Sequence, residues 1–174
     1  MWTTMDSPIG ELRLIAQDGA LTAVEFLGEM PTGPAESASV RHHATRADGK
    51  PRGDRVDDDA LLVEAARQLA AYFAGDLKDF DVPVAPSGTP FQLRVWSALL
   101  GIGYGETRTY GEIARELGLT GHGARAVGMA NGRNPVPIVI PCHRVVGTNG
   151  SLTGYGGGMQ RKQTLLELEQ DALF

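Results

Sequence analysis

Cys142 is the only cysteine among the 174 residues, and it stands in IVIPCHRVVG, residues 138–147, between a proline and a histidine at the end of an apolar run. Most free cysteines are small buried hydrophobes, but a thiolate is a nucleophile, and neighbouring basic or cationic groups favour it. His143 and Arg144 follow Cys142 directly, which makes nucleophilic chemistry the sharper reading. Successive side chains of an extended strand point to opposite faces, so adjacency alone does not set His143 against the sulfur, and a turn or a bridging water must intervene. A histidine base also needs an orienting acid. Glu169, in LLELEQ on a C-terminal helix predicted over about residues 160–170, is the candidate, against the plainer reading of a solvated helix glutamate. A lone cysteine makes neither an internal disulfide nor a CxxC pair, so a reducing, cytoplasmic setting is expected.

Upstream, TYGEIARELGLTGHGARAVGMANGRN, residues 109–134, is the second informative stretch. Thr109 with Glu112 three residues later forms a capping box, Ile113, Ala114 and Leu117 give an apolar face, and Gly118 stops the helix. A short turn and a second helix complete a helix-turn-helix pattern, which also occurs in many helical cores. The second helix, GARAVGMANG, carries small residues and one long polar side chain, Arg125. A helix that reads base edges in the major groove needs several long polar side chains, so these small residues suit shape-based contact in a minor groove, with Arg125 as an inserted probe.

These segments must be positioned by the rest of the chain. The opening reads as an antiparallel meander: WTTMD, a turn at SPIG, ELRLIAQ with Leu12, Leu14 and Ala16 alternating, a turn at DGA, then LTAVEFL. Residues 28–58 lack hydrophobic period and are rich in Gly, Pro, Ser and charge, which predicts a long polar surface loop. His42 and His43 within it read as solvated residues rather than metal ligands. Residues 59–74 show helical spacing at Leu62, Ala65, Ala66, Leu69 and Phe73, ending at Gly75, and this helix covers the sheet. After a Pro-containing connector, Thr89 and Pro90 open a helix with Phe91, Val95, Ala98 and Leu99 on one face. The expected fold is therefore α+β, with an N-terminal sheet lobe over 1–85 and a C-terminal helical lobe over 86–174.

Hydrophobic residues make up 42% and charged residues 21% of the chain, as in ordinary globular proteins. The longest apolar stretch falls far short of the roughly 18 residues that a membrane span needs, so no membrane partner is expected. The net charge of −5 argues at first against nucleic acid. The average hides an asymmetry: residues 1–85 carry 8 Lys+Arg against 15 Asp+Glu, whereas residues 94–162 carry 8 against 3. If the protein touches DNA, it does so with its C-terminal half.

IPCHRVVG, preceded by NPVPIVI and followed by SLTGYGGGMQRKQTLLELE, resembles the active-site signature of the O6-alkylguanine-DNA alkyltransferases, a family of DNA-repair proteins that act once. The likeness runs from about GTPFQLRVWS to the C-terminus, and the N-terminal meander fits the family's variable, ribonuclease H-like lobe. It implies a C-terminal winged helix-turn-helix and double-stranded DNA containing O6-alkylguanine as the partner. It further implies no cofactor and a monomer in solution. Carried onto this sequence, the resemblance makes Cys142 the alkyl acceptor and His143 a base acting through a water, with Glu169 fixing the imidazole. Asn134 becomes a hinge whose amide braces the backbone around Cys142. Arg125 becomes the finger that fills the space of a flipped nucleotide, on a helix whose Ala124, Ala126 and Gly128 lie close to the groove. Tyr110 is implied to crowd the 3′ phosphate and turn its hydroxyl to guanine N3. The backbone at Cys142 and Val145 reads the exocyclic amine, while Pro137, Tyr155, Gly156 and Gly157 wall the pocket.

Three features depart from the family's pattern, and the long polar loop over 28–58 is one of them. Gly156 occupies a position where some relatives carry serine, leaving only a backbone amide to face O6 and a roomier pocket. Relatives with an N-terminal zinc site hold it through Cys and His, and this lobe has no cysteine, so no structural metal is expected. A non-catalytic damage binder of the same group would lack the cysteine. A Cys-His hydrolase would leave the Arg125 helix unexplained, and a cysteine-sensing regulator would require one preferred DNA sequence.

Overall fold

The computed structural model describes residues 1–30 and 53–172. The chain divides into two compact units, Met1–Pro86 and Ser87–Phe174. His42, His43 and most of the polar segment around them lie outside the described residues.

In the first unit, β1 (Trp2–Met5), β2 (Glu11–Gln17) and β3 (Ala20–Leu27) form an antiparallel sheet in the order β1-β2-β3, with Trp2 opposite Ile15 and Leu14 opposite Val24. Asp18 and Gly19 join β2 to β3, and both have positive φ, 51° and 79°. A two-residue loop of this kind matches the right-handed twist of the strands, and the Asp-Gly pair adopts it at little cost. Helix α1 (Ala60–Phe73) starts at Asp59, whose carboxylate accepts from the Leu62 amide at 3.0 Å. Leu62, Ala65, Leu69 and Tyr72 form its buried stripe, and the core of this unit also takes Leu12, Leu14 and Leu21 from the sheet. Buried Gln68 anchors the connector, accepting from the amides of Asp81 and Val82 and donating to the Asp81 carboxylate.

The far end of the polar loop predicted over 28–58 is tied to β1. The Trp2 amide donates to the Asp54 carbonyl, the Val56 amide donates to the Trp2 carbonyl, and Thr3 donates to the Asp57 carboxylate at 2.6 Å. The reason is the free edge of β1, which takes up this short polar segment without any hydrophobic period being required.

The second unit begins with α2 (Pro90–Leu99), whose capping box pairs Thr89 with Gln92. Then come β4 (Arg108–Thr109), α3 (Tyr110–Glu116), α4 (Gly123–Gly132), a 3-10 turn over Cys142–Arg144, β5 (Val145–Val146) and α5 (Met159–Asp171). β4 and β5 pair in parallel, Arg108 with Val145 and Thr109 with Val146. Val95, Trp96, Leu99, Ile102, Ile113, Val127, Val136, Ile138, Ile140 and Leu165 build the core. The Trp96 indole donates to the Ala130 carbonyl at 2.8 Å and so fixes α4 on α2. Gly123 is required where α3 turns into α4, because a Cβ there would sit 2.6 Å from Leu119 Cβ. Among the described residues no helix is long and apolar enough to cross a membrane, and no three His, Cys, Asp or Glu side chains are grouped to hold a metal ion.

Candidate active site

Val136 through Ile140 are all buried, and the chain doubles back within them, with Pro137 bridged to Ile140 and Ile138 at φ 74°. The extended run expected through the signature therefore ends before Cys142. Residues Cys142–Arg144 instead form a 3-10 turn, closed by the Val145 amide donating to the Cys142 carbonyl. The proline explains the break, since it removes a backbone donor and fixes its own φ. Within such a turn adjacent side chains are not forced to opposite faces as they are along a strand.

Two asparagines hold this turn. The Asn134 amide donates to the Ile140 carbonyl at 2.8 Å while its own oxygen accepts from the Val136 amide at 3.0 Å. The Asn131 amide donates to the Cys142 carbonyl at 3.2 Å. The resemblance points to Asn134 but not to Asn131, because a polar residue in a helix of small residues gives no sign in sequence of which face it occupies.

Cys142 is 3% exposed, and burial pushes its thiol up to about 11, opposed by the Asn134 side chain and by the charge on Lys162. The sulfur therefore rests as the protonated thiol at neutral pH and must hand its proton on before it can attack.

His143 is fully buried, and its Nε2 lies 2.7 Å from Glu169 Oε1. The hydrogen bonds from His143 and Arg144 hold the Glu169 carboxyl down at about 2 against the opposing effect of burial. An ionised carboxylate only accepts, so Nε2 carries the imidazole proton and Nδ1 keeps a lone pair. Nδ1 is buried and has no hydrogen-bond partner among the described residues. Burial lowers the His143 pKa, which keeps the ring neutral and ready to take a proton.

Arg144 plays a different part from the one expected. Its Nε and Nη2 donate to Glu169 at 3.0 and 2.9 Å, and its Nη1 donates to the Ile102 carbonyl at 2.7 Å. Its charge is thus engaged by Glu169. The cation acting on the thiol is Lys162, fully buried at the start of α5, which donates to the carbonyls of Val145 and Thr153. Sequence spacing hides Lys162, which reads as an ordinary surface lysine of a charged helix.

Lys162 yields a direct test. Burial lowers its pKa from 10.5 to about 8. Because the unfolded chain binds that proton more tightly, stability from this group rises as the pH climbs from about 8 to 10.5. Thermal unfolding across that range is expected to show the parent gaining on Lys162→Met. A constant difference between the two contradicts the assignment.

Tyr110 donates its hydroxyl to the Thr153 carbonyl at 2.8 Å. Lys162 Nζ donates to the same oxygen and lies 5.8 Å from the Tyr110 ring centre. Pro137, Val145, Tyr155 and Gly157 are buried, and Gly156 is exposed. Arg161 holds the Gly157 carbonyl at 3.0 Å, so two consecutive cations of α5 pin both ends of the Thr153–Gly157 loop. A Cβ at Gly156 would lie 3.1 Å from the Gly132 carbonyl, so a serine there has to displace backbone at the end of α4.

The outer face of α4 exposes Ala124, Arg125, Met129 and Gly132, with Ala126 and Gly128 half-buried. Gly128 is covered by the Tyr110 ring, 3.7 Å from where its Cβ would be. Met129, 59% exposed, projects one turn beyond Arg125 and is a large apolar side chain that the resemblance does not single out.

The family model for the 6-O-methylguanine DNA methyltransferase ribonuclease-like domain matches residues 1–86, and that for the DNA binding domain of the same proteins matches residues 90–171. A methylated-DNA–protein-cysteine methyltransferase of Mycobacterium tuberculosis is 50% identical over 169 residues, covering 97% of this chain and 92% of that protein. One from Methanosarcina acetivorans is 46% identical, covering 97% of both. The crystal structure of Mycobacterium tuberculosis OGT in complex with DNA superposes with a TM-score of 0.78 at 47% identity, covering 98% of this chain and 93% of that one.

Proposed function

The chain belongs to the family of methylated-DNA–protein-cysteine methyltransferases, DNA-repair proteins, and from this membership we propose that it removes the alkyl group from O6-alkylguanine in duplex DNA by irreversible transfer to Cys142. The observation that carries the proposal is the buried relay beside the single thiol: Glu169 fixes His143 with Nε2 protonated, and the unpartnered Nδ1 is left to accept. In the reaction the Cys142 proton passes through a water to His143 Nδ1, and the sulfur attacks the alkyl carbon. The carbon–O6 bond breaks as the sulfur–carbon bond forms, and the proton taken by His143 returns through the water to guanine, which leaves neutral. Lys162 stabilises the negative charge that develops on the sulfur before attack. The product is a thioether, which thiol exchange does not reverse, so each molecule acts once.

The O6 position lies inside the duplex, so the nucleotide must be turned out of the stack. The outer face of α4 is suited to turning it out. Its small residues let the backbone approach the minor groove, and Arg125 enters the stack in place of the extruded base. Duplex binding is expected to fall with rising salt, because the cations that neutralise phosphates release their condensed counterions.

The Arg125→Ala protein tests the flipping role. Transfer from a duplex carrying O6-methylguanine is expected to fall by about 10 to 100-fold, in line with the few kcal/mol of unstacking that the finger offsets. Reaction with free O6-benzylguanine, which needs no flipping, is expected to stay at the parent's rate. Equal losses with both substrates contradict the role.

A further inference from the structure

We propose that Asn131 is a second positioning residue for the acceptor, holding the 3-10 turn that carries Cys142 and His143. The proposal rests on the reading of Cys142 as the acceptor. Asn131 is 1% exposed, and the other buried residues of α4 are Gly123, Val127 and Ala130, none of them polar in its side chain. Among the described residues its Oδ1 is buried without a hydrogen-bond partner, while its Nδ2 donates to the Cys142 carbonyl. A half-satisfied buried amide is less stable than an apolar residue of the same size, so packing gives no reason for asparagine at this position.

The bond it makes does give one. The Cys142 carbonyl is the oxygen that also accepts from the Val145 amide and closes the 3-10 turn. With the Ile140 carbonyl held by Asn134, the two carbonyls on either side of Pro141 are each gripped by an amide from α4 or its exit. Asn134 fixes where the turn begins, and Asn131 fixes the angle at which it leaves Cys142. The same helix carries Arg125 on its outer face, so one rigid element sets both the DNA contact and the orientation of the thiol.

The experiment compares Asn131→Leu and Asn131→Asp, which keep the volume but remove the amide donor, with Val127→Ala, which loosens the same buried face and keeps the bond. At saturating O6-methylguanine duplex, both Asn131 variants are expected to transfer about 10 to 100-fold more slowly, the scale of loss that a small misplacement of a reacting group causes. Their Kd for unmodified duplex is expected to match the parent's, and iodoacetamide is expected to capture the released Cys142 faster. Val127→Ala is expected to keep the parent's transfer and capture rates despite a lower Tm. Parental rates in both Asn131 variants, or equal changes in Val127→Ala, overturn the proposal. If the parent transfers no alkyl group, the acceptor reading fails, and the iodoacetamide rates alone then decide whether Asn131 holds the turn.

Discussion

Replacing Cys142 by serine is expected to abolish alkyl transfer, with a loss of at least roughly a thousandfold, the scale seen when a catalytic nucleophile is removed. A hydroxyl in this site is a far weaker nucleophile than a thiol, and the relay built from His143 and Glu169 has no second thiol to serve. Duplex binding is expected to persist, because Cys142 is 3% exposed and the outer face of α4 is untouched by the change. Transfer of a labelled methyl group from duplex to protein, followed beside a gel-shift titration, separates the two. Retained transfer in the serine protein contradicts the assignment.

Glu169→Gln is expected to act on chemistry and stability together. A neutral amide no longer dictates which imidazole nitrogen carries the proton, so proton removal from the thiol loses its fixed acceptor, and transfer falls by about 10² to 10⁴, the usual worth of a positioned general base. The change also strips the counter-charge from buried Arg144, and breaking a buried pair from one side costs about 3 to 5 kcal/mol. The pH dependence follows from the carboxyl held at about 2 against 4.5 in the unfolded chain. The stability it contributes is complete above 4.5 and is lost as the pH falls from 4.5 towards 2. The parent therefore loses stability in that window, whereas the Tm of Glu169→Gln is expected to fall less steeply there. Parallel acid-melting curves contradict this role for the relay.

The parts of the fold and site that sequence makes legible are those set by local rules. Alternation at Leu12 and Leu14 announces a strand, the Asp18-Gly19 pair announces its hairpin, and Thr89 and Thr109 announce two helix starts; each signal lies within a few residues of the structure it specifies. The signature around Cys142 likewise points to a reacting thiol, because few other arrangements place proline, cysteine, histidine and arginine in a row. What sequence hides is set by packing between distant segments. Lys162 and Asn131 look like surface residues of helices until α5 and α4 are folded against the turn at Cys142. Arg144 reads as a partner of its neighbour Cys142, but the contact of α5 with the turn gives it to Glu169, 25 residues away. The backbone pairing of Asp54 and Val56 with β1 is hidden for the same reason, since a bare strand edge recruits backbone rather than side chains.

Whether Cys142 is the alkyl acceptor is decided by the intact mass of the protein after incubation with an oligonucleotide duplex carrying one O6-methylguanine, with the alkylated peptide sequenced by fragmentation. The expected result is a gain of one methylene unit located on Cys142, stopping at one equivalent however much substrate is added. No gain while the duplex remains bound, or a gain on another residue, contradicts it.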